Sequence, residues 1–196
     1  MNVRRLLQVP LTSVLYRQHP LAFPLFGNVH SRTYIKKYTL RGSGVNCNTK
    51  SKTSVTDHTI ISDVPVLSGG CNEGPQPVEL LLHALIGCET ATAAFLARKL
   101  WHPKDIHLSR IDYDIWAERD EQGSISAPYD SPPKISSRIL RIGGTASLTT
   151  SATNNDIQVL KHMVHLRCPV ASTLLASGCL IEIEWVHIPS QKINMA

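Results

Sequence analysis

The chain has 196 residues and a formal net charge of +5; 42% of its residues are hydrophobic but only 6% aromatic. That length fits one domain with a core of its own, and the aliphatic content excludes disorder as the default reading. Removing Arg4, Arg5, Arg17 and Arg32 lowers the charge from +5 to +1, so the excess belongs to the N-terminus; a nucleic-acid reader needs its basic face on the fold itself.

The first acidic residue is Asp57. Residues 1–33 are rich in Arg, Leu, Ser and Thr, and the runs around Arg4–Leu7 and Val14–Arg17 can form a short basic amphipathic helix. That is the composition of a mitochondrial transit peptide, and Pro10, Pro20 and Pro24 interrupt any secretory apolar core. We therefore expect a mitochondrial targeting segment or basic arm over residues 1–33, one domain over residues 34–196, and residence in the matrix.

From Tyr34 to Ile61 the pattern is strand-like, with polar turns at Gly42–Gly44 and around Asn48–Lys52. Asp63 to Gln76 is a loop, marked by Gly69-Gly70 and Gly74-Pro75. Pro77 starts a helix that runs to about Leu100, with Pro103 beyond its end. Its apolar residues fall on nearly every face, which predicts burial all round at the centre of a domain or a dimer. His83 and Glu89 interrupt the apolar run from Leu80 to Ala97, so no bilayer span is expected.

Ile111 to Glu118 alternates as a one-sided strand. A polar loop from Arg119 to Lys134 precedes a second strand, Ile135 to Thr149, and is read as a mobile hairpin tip. Asn154 or Asn155 is expected to cap a helix through Ile157, Leu160 and Val164. Cys168-Pro169 breaks it and starts a short second helix ending near Gly178. Cys179 to Ile188 closes the chain as a strand, with Ile181, Ile183 and Trp185 on one face. Strands flank helices without regular alternation, which favours an α+β fold with antiparallel pairing.

The chemistry is concentrated in two of five cysteines. Cys88 lies in an apolar helix, where a cysteine is usually a small core residue. Cys168 precedes a proline at a helix start, a place that favours a thiolate. One buried and one poised thiol make a redox pair if the fold brings them together. Cys47, Cys71 and Cys179 have no such setting and are read as bystanders; the odd count and wide spacing do not resemble a disulfide scaffold. His162, His165 and Cys168 recur at intervals of three, but a closed zinc site needs four ligands and no fourth is evident; a solvated helix face is the plainer reading. Glu79 and His83, four apart, read as a helix-surface pair.

The segment Ser62-Asp63-Val64-Pro65, then Gly69-Gly70, Gly74-Pro75-Gln76-Pro77-Val78-Glu79-Leu80 and Gly87-Cys88, followed by Cys168-Pro169-Val170 with Thr173-Leu174, closely resembles the OsmC/Ohr family of osmotically inducible and organic hydroperoxide resistance proteins. The likeness covers about Tyr34 to Ile188. It implies an intertwined homodimer in which antiparallel sheets wrap two long central helices. It also implies that Cys88 attacks an organic hydroperoxide and that Cys168 resolves the sulfenic acid as a disulfide. Val78, Ala84, Leu85 and Ala91 would then form apolar walls for the peroxide, and an external dithiol, such as a lipoylated protein, would restore the thiols without a bound cofactor.

Peroxidase members hold an activating Arg with a Glu directly after the helix-start proline. Here that place is Val78, with Glu79 one step on, and Arg41, Lys50 and Lys52 are the basic residues in the region where the Arg belongs. Two other functions therefore stand beside the peroxidase: a non-catalytic OsmC-like subunit or assembly factor of a larger mitochondrial complex, and a small-molecule binding protein.

Overall fold

The computed structural model describes residues 35–189, and the expected targeting segment lies outside them. Three short strands come first: β1 (Leu40–Val45), β2 (Asn48–Thr53) and β3 (Thr59–Ser62), an antiparallel sheet in that order. Asn46, at φ 53°, makes the β1–β2 turn, a left-handed conformation that asparagine tolerates. Every residue of β1 is exposed, and Ile60 and Ile61 of β3 also face solvent. These strands pack on one another and against the loop that follows, where the Asn48 side-chain amide donates to Glu73 at 2.9 Å, rather than against the helices.

The loop from Asp63 to Gln76 is held by one carboxylate. Asp63 is fully buried and accepts the backbone N–H groups of Val64 at 2.8 Å, Cys71 at 3.0 Å and Glu73 at 3.2 Å. These bonds, that from Glu73 first, hold its pKa below the usual carboxylate value. The loop closes so tightly on this residue that a Cβ at Gly70 would lie 2.1 Å from the Val64 carbonyl oxygen and 2.6 Å from Asp63 Oδ1. Only glycine allows that approach.

The loop delivers the chain into α1 (Pro77–Leu100), with the bounds the sequence predicts. Pro77 suits the first turn, and the Gln76 backbone N–H donates to the Glu79 carboxylate at 2.8 Å. Glu79 is thus committed to the helix start rather than to the expected pair with His83. Burial on α1 follows a spacing of about four: Leu85, Glu89, Ala93, Leu96 and Ala97 are buried. The other faces are open, with Leu81 and Phe95 exposed. The expectation of burial all round is therefore not met within one chain, because β4, α3 and α4 cover only one side of the helix. By length and composition α1 could cross a membrane; its buried stripe against the sheet marks it as a core helix.

β4 (Leu108–Arg119) turns Leu108, Ile111, Tyr113, Ile115 and Ala117 toward the core and its other residues outward. The polar connection that follows contains a short helix, α2 (Gln122–Ile125). Its Gly123 is buried against the backbone of Ser136 and Ser137, so this part of the loop packs rather than hanging free. β5 (Ile139–Thr150) returns antiparallel to β4. α3 (Asn154–Arg167) and α4 (Pro169–Ala176) then cross over to β6 (Leu180–Pro189), which pairs with β5 in parallel. The expected all-antiparallel pairing fails at this step, since the helical crossover returns the chain to the end where β5 began. The α3 cap is Thr153, one residue before the expected asparagines; its hydroxyl accepts the Asp156 N–H at 3.2 Å.

Ile142 and Leu148 of β5, Ile157, Leu160 and Val164 of α3, and Ile183 of β6 pack with Leu85 and Ala93 of α1 into one core, all at or near zero exposure. Each large side chain so buried contributes about 1.5–3 kcal/mol. The result is an α+β fold whose second layer presents α1 and the α3–α4 junction to each other.

Candidate functional site: a dithiol at the junction of two helices

Cys168 ends α3 and caps α4, and its Sγ accepts the Ala171 backbone N–H at 3.4 Å. The chain bends here because proline cannot continue α3 but fits the first turn of α4. Cys168 is fully buried. Cys88, on the middle of α1, is half-buried and packs against the core that holds Cys168, near enough to help raise the Cys168 pKa. Both are free thiols.

The settings of the two thiols, poised and buried, are the reverse of those the residues alone suggest. Burial pushes the Cys168 thiol up to about 11, the Ala171 N–H opposes that shift, and neighbouring Cys88 adds to it. Desolvation thus outweighs the helix N-terminus. The accessible thiol is Cys88; the supposedly poised one is sealed in the core.

The proposed apolar walls separate. Ala84 and Ala91 are exposed on α1, four residues before and three after Cys88, and so share its face. Leu85 has zero exposure and belongs to the core, so it cannot line an open site in this chain. Val78 lies about 15 Å along the helix axis from Cys88 and lines a separate cavity of about 240 Å³ with Leu82, Ala117 and Ile139. A larger hollow of about 660 Å³ lies further along α1, among Ala94, Trp101, His102 and Ile106, and does not include the thiols. Arg41, Lys50 and Lys52 lie on β1 and β2, which make almost no contact with α1 in the same chain. Lys52 is paired with Asp57 at 3.2 Å.

The sequence reading missed three residues beside the thiols. Glu89, read as a break in an apolar helix, is fully buried, and its Oε1 lies 3.6 Å from His165 Nε2. The signal was present: Leu85, Glu89 and Ala93 share one face at intervals of four. His165 is not on a solvated face; its side chain is 19% exposed. Burial raises Glu89 to about 7, with the positive charge of Lys161 opposing. Burial lowers the His165 pKa, and Lys161 and His162 lower it further. Tyr113 of β4 has its pKa raised, first by burial, then by the negative charge of Glu89, with a smaller effect from Cys168. Among the described residues, no three His, Cys, Asp or Glu side chains converge as a metal site requires.

A half-buried cysteine on a long helix and a sealed cysteine at a helix–proline junction share one core in an α+β frame. A family model for OsmC-like proteins matches residues 69–184, a span that holds both thiols, and the chain belongs to the OsmC family. Among solved structures it resembles an OsmC-like protein from Mycoplasma pneumoniae at TM-score 0.60 and 21% identity, over 78% of this chain and 98% of that one. An organic hydroperoxide resistance protein from Elizabethkingia anophelis matches at TM-score 0.56 and 12% identity, over 80% and 99%. Another from Legionella pneumophila matches at TM-score 0.55 and 15% identity, over 78% and 98%. At these identities the likeness is one of fold. No curated protein sequence matches.

Proposed function

We propose that this protein is a thiol-dependent reductase of organic hydroperoxides acting through Cys88 and Cys168. The placement of the half-buried Cys88 against the core that holds the buried Cys168 carries the reading. The organic hydroperoxide resistance proteins that share the fold support it. Cys88 thiolate attacks the peroxide oxygen, the O–O bond breaks, and one proton completes the departing alcohol; Cys88 becomes a sulfenic acid. Cys168 then condenses with it to a disulfide and releases water. An external dithiol, such as a lipoylated protein, exchanges with the disulfide and restores both thiols. Ala84 and Ala91, beside Cys88, suit an apolar peroxide.

A homodimer completes the proposal. The uncovered side of α1, with Leu81 and Phe95, and the exposed Leu40, Val45, Ile60 and Ile61 of the otherwise polar β1–β3 sheet are surfaces that a second copy can cover. That copy is also the natural source of a cation near Cys88, because the chain's own Arg41, Lys50 and Lys52 are borne on the outlying sheet. The acid-free composition of residues 1–33 supports import into the mitochondrial matrix; a reporter fused behind those residues should enter the organelle, and cytosolic residence would refute the import.

A second reading has its own support. Val78 stands where peroxidase relatives carry Glu, and Glu79 is engaged at the helix start. A non-catalytic OsmC-like subunit or assembly factor of a mitochondrial complex fits those two facts. Consumption of a bulky organic hydroperoxide in the presence of a reduced dithiol distinguishes them. The peroxidase shows turnover that Cys88→Ser abolishes; consumption no faster than that of Cys88→Ser leaves the scaffold.

A further inference from the structure

The hollow of about 660 Å³ at the end of α1 has no part in the thiol chemistry. It lies where α1 stops and the chain turns into β4, and its size is in the range that takes a small organic ligand. Ala97 in its lining stands nine residues beyond Cys88, about 13 Å along the helix axis. Nor does the hollow share the thiol's side of the helix. Ala94, Arg98 and Trp101 line it at intervals of four and three, one stripe of the helix surface. Phe95 is about 100° around from Ala94, on the open side with Cys88. A second copy laid over Phe95 therefore covers a different side of α1 from the one that lines the hollow.

The inner wall of the hollow is apolar. Ala97 and Trp101 are each 3% exposed, and Ile106 and Leu108 are half-buried against the same core. Its rim is cationic. Arg98 lines it, and among the described residues the guanidinium enters no ion pair. Over residues 98–108, Arg98, Lys99 and Lys104 outnumber a single carboxylate, Asp105. That carboxylate is already engaged, with its Oδ1 2.9 Å from His107 Nε2.

The helix end by itself does not account for Arg98. Basic residues suit the negative pole of a helix, and the last turn of α1 carries both Arg98 and Lys99. Lys99 meets that need from outside the lining of the hollow, whereas Arg98 is part of it. The carbonyls there also have backbone partners: Trp101 N–H donates to Ala97 at 3.0 Å, and Lys104 N–H donates to Trp101 at 2.7 Å.

We infer that the hollow is a binding site for a free apolar carboxylate of the medium-chain acyl kind, separate from the thiols and independent of the peroxidase reading. The acyl chain lies against Trp101, Ile106 and Leu108 and removes their open surface from water. The carboxylate sits at the rim and accepts charge-assisted hydrogen bonds from Arg98, whose planar fork matches two carboxylate oxygens. A neutral apolar molecule would leave the guanidinium without a counter-charge. A small polar anion would leave the apolar wall wet. A molecule with both parts answers the whole lining.

Calorimetric titration of the reduced full-length protein tests the site, with sodium decanoate below its micelle-forming range and with decanol as the uncharged counterpart. Decanoate should bind once per chain, and decanol at least about tenfold more weakly, because it lacks the charge-assisted pair. Arg98→Gln, at an exposed position, should weaken decanoate by the same factor and leave decanol unchanged. Ala94→Phe should fill the hollow and abolish binding of both; if that variant does not fold, Arg98→Gln decides alone. Cys88→Ser and Phe95→Asp should bind decanoate as wild type does, which sets the site apart from the thiols and from the open side of α1. No decanoate binding, equal binding of decanoate and decanol, or decanoate binding that Arg98→Gln leaves intact would overturn the site. Loss of binding in Phe95→Asp or Cys88→Ser protein would overturn it too, by placing the ligand on the other side of α1.

Discussion

Cys88 and Glu89 are consecutive on α1 yet live in different media: the thiol is half-buried, while the carboxyl has zero exposure and faces His165 at 3.6 Å. A helix turns about 100° per residue, so one step carries the chain from the open face to the face sealed by β4 and α3. An outward thiol and an inward carboxyl are thereby fixed on one rigid element, which is how a site keeps reactive and supporting groups in register.

The sealed carboxyl makes stability depend on pH in a direction unusual for an acid. Glu89 titrates at about 7 in the fold against 4.5 in the unfolded chain, so the folded state holds the proton more tightly. Its contribution is complete below 4.5 and is lost as the pH rises through about 7. Glu89→Gln should remove that loss, gaining about 3 kcal/mol over wild type above neutrality and little at acid pH. Urea denaturation of both proteins across the window measures it. Parallel pH curves would contradict the assignment.

Asp63 predicts the opposite slope. Three backbone N–H groups hold its folded pKa below the ordinary 3.8. Its contribution is therefore present above 3.8 and lost as the pH falls through the folded value. Asp63→Asn should lower the melting temperature at neutral pH, and the gap should close in acid. Gly70→Ala should also destabilise the loop, because its Cβ would meet the Val64 carbonyl oxygen at 2.1 Å. Thermal melts at two pH values check both.

The open face of α1 predicts an assembly. Phe95 is 50% exposed in the single chain, a poor place for a large aromatic unless a second copy covers it. Phe95→Asp should convert a homodimer to a monomer by light scattering. A wild-type monomer at working concentration would contradict the proposed assembly.

Much of this molecule was legible in its sequence because local signals and global fold agreed. Pro77 and the all-apolar run fixed α1, and the alternation at Ile111–Glu118 and Ile181–Trp185 marked strands whose inward faces pack as the pattern requires. The two thiols stood out by their settings. What sequence could not carry was the balance of burial against dipole at Cys168, because desolvation depends on what α1 lays over it. The parallel β5–β6 pair escaped for a similar reason: its register is set by a crossover through α3 and α4, not by either strand. Leu85 and Val78, plausible as peroxide walls on the chain, part company once α1 has a buried face and a length.

The central claim is that Cys88 and Cys168 form a working redox pair. Mass spectrometry of the reduced protein after treatment with a bulky organic hydroperoxide tests it directly. The account predicts one disulfide linking Cys88 and Cys168 within a chain, with Cys47, Cys71 and Cys179 remaining thiols; in Cys168→Ser protein it predicts Cys88 as a sulfenic acid or its over-oxidised products. A Cys88 that stays a free thiol while the other cysteines oxidise at background rates would contradict it.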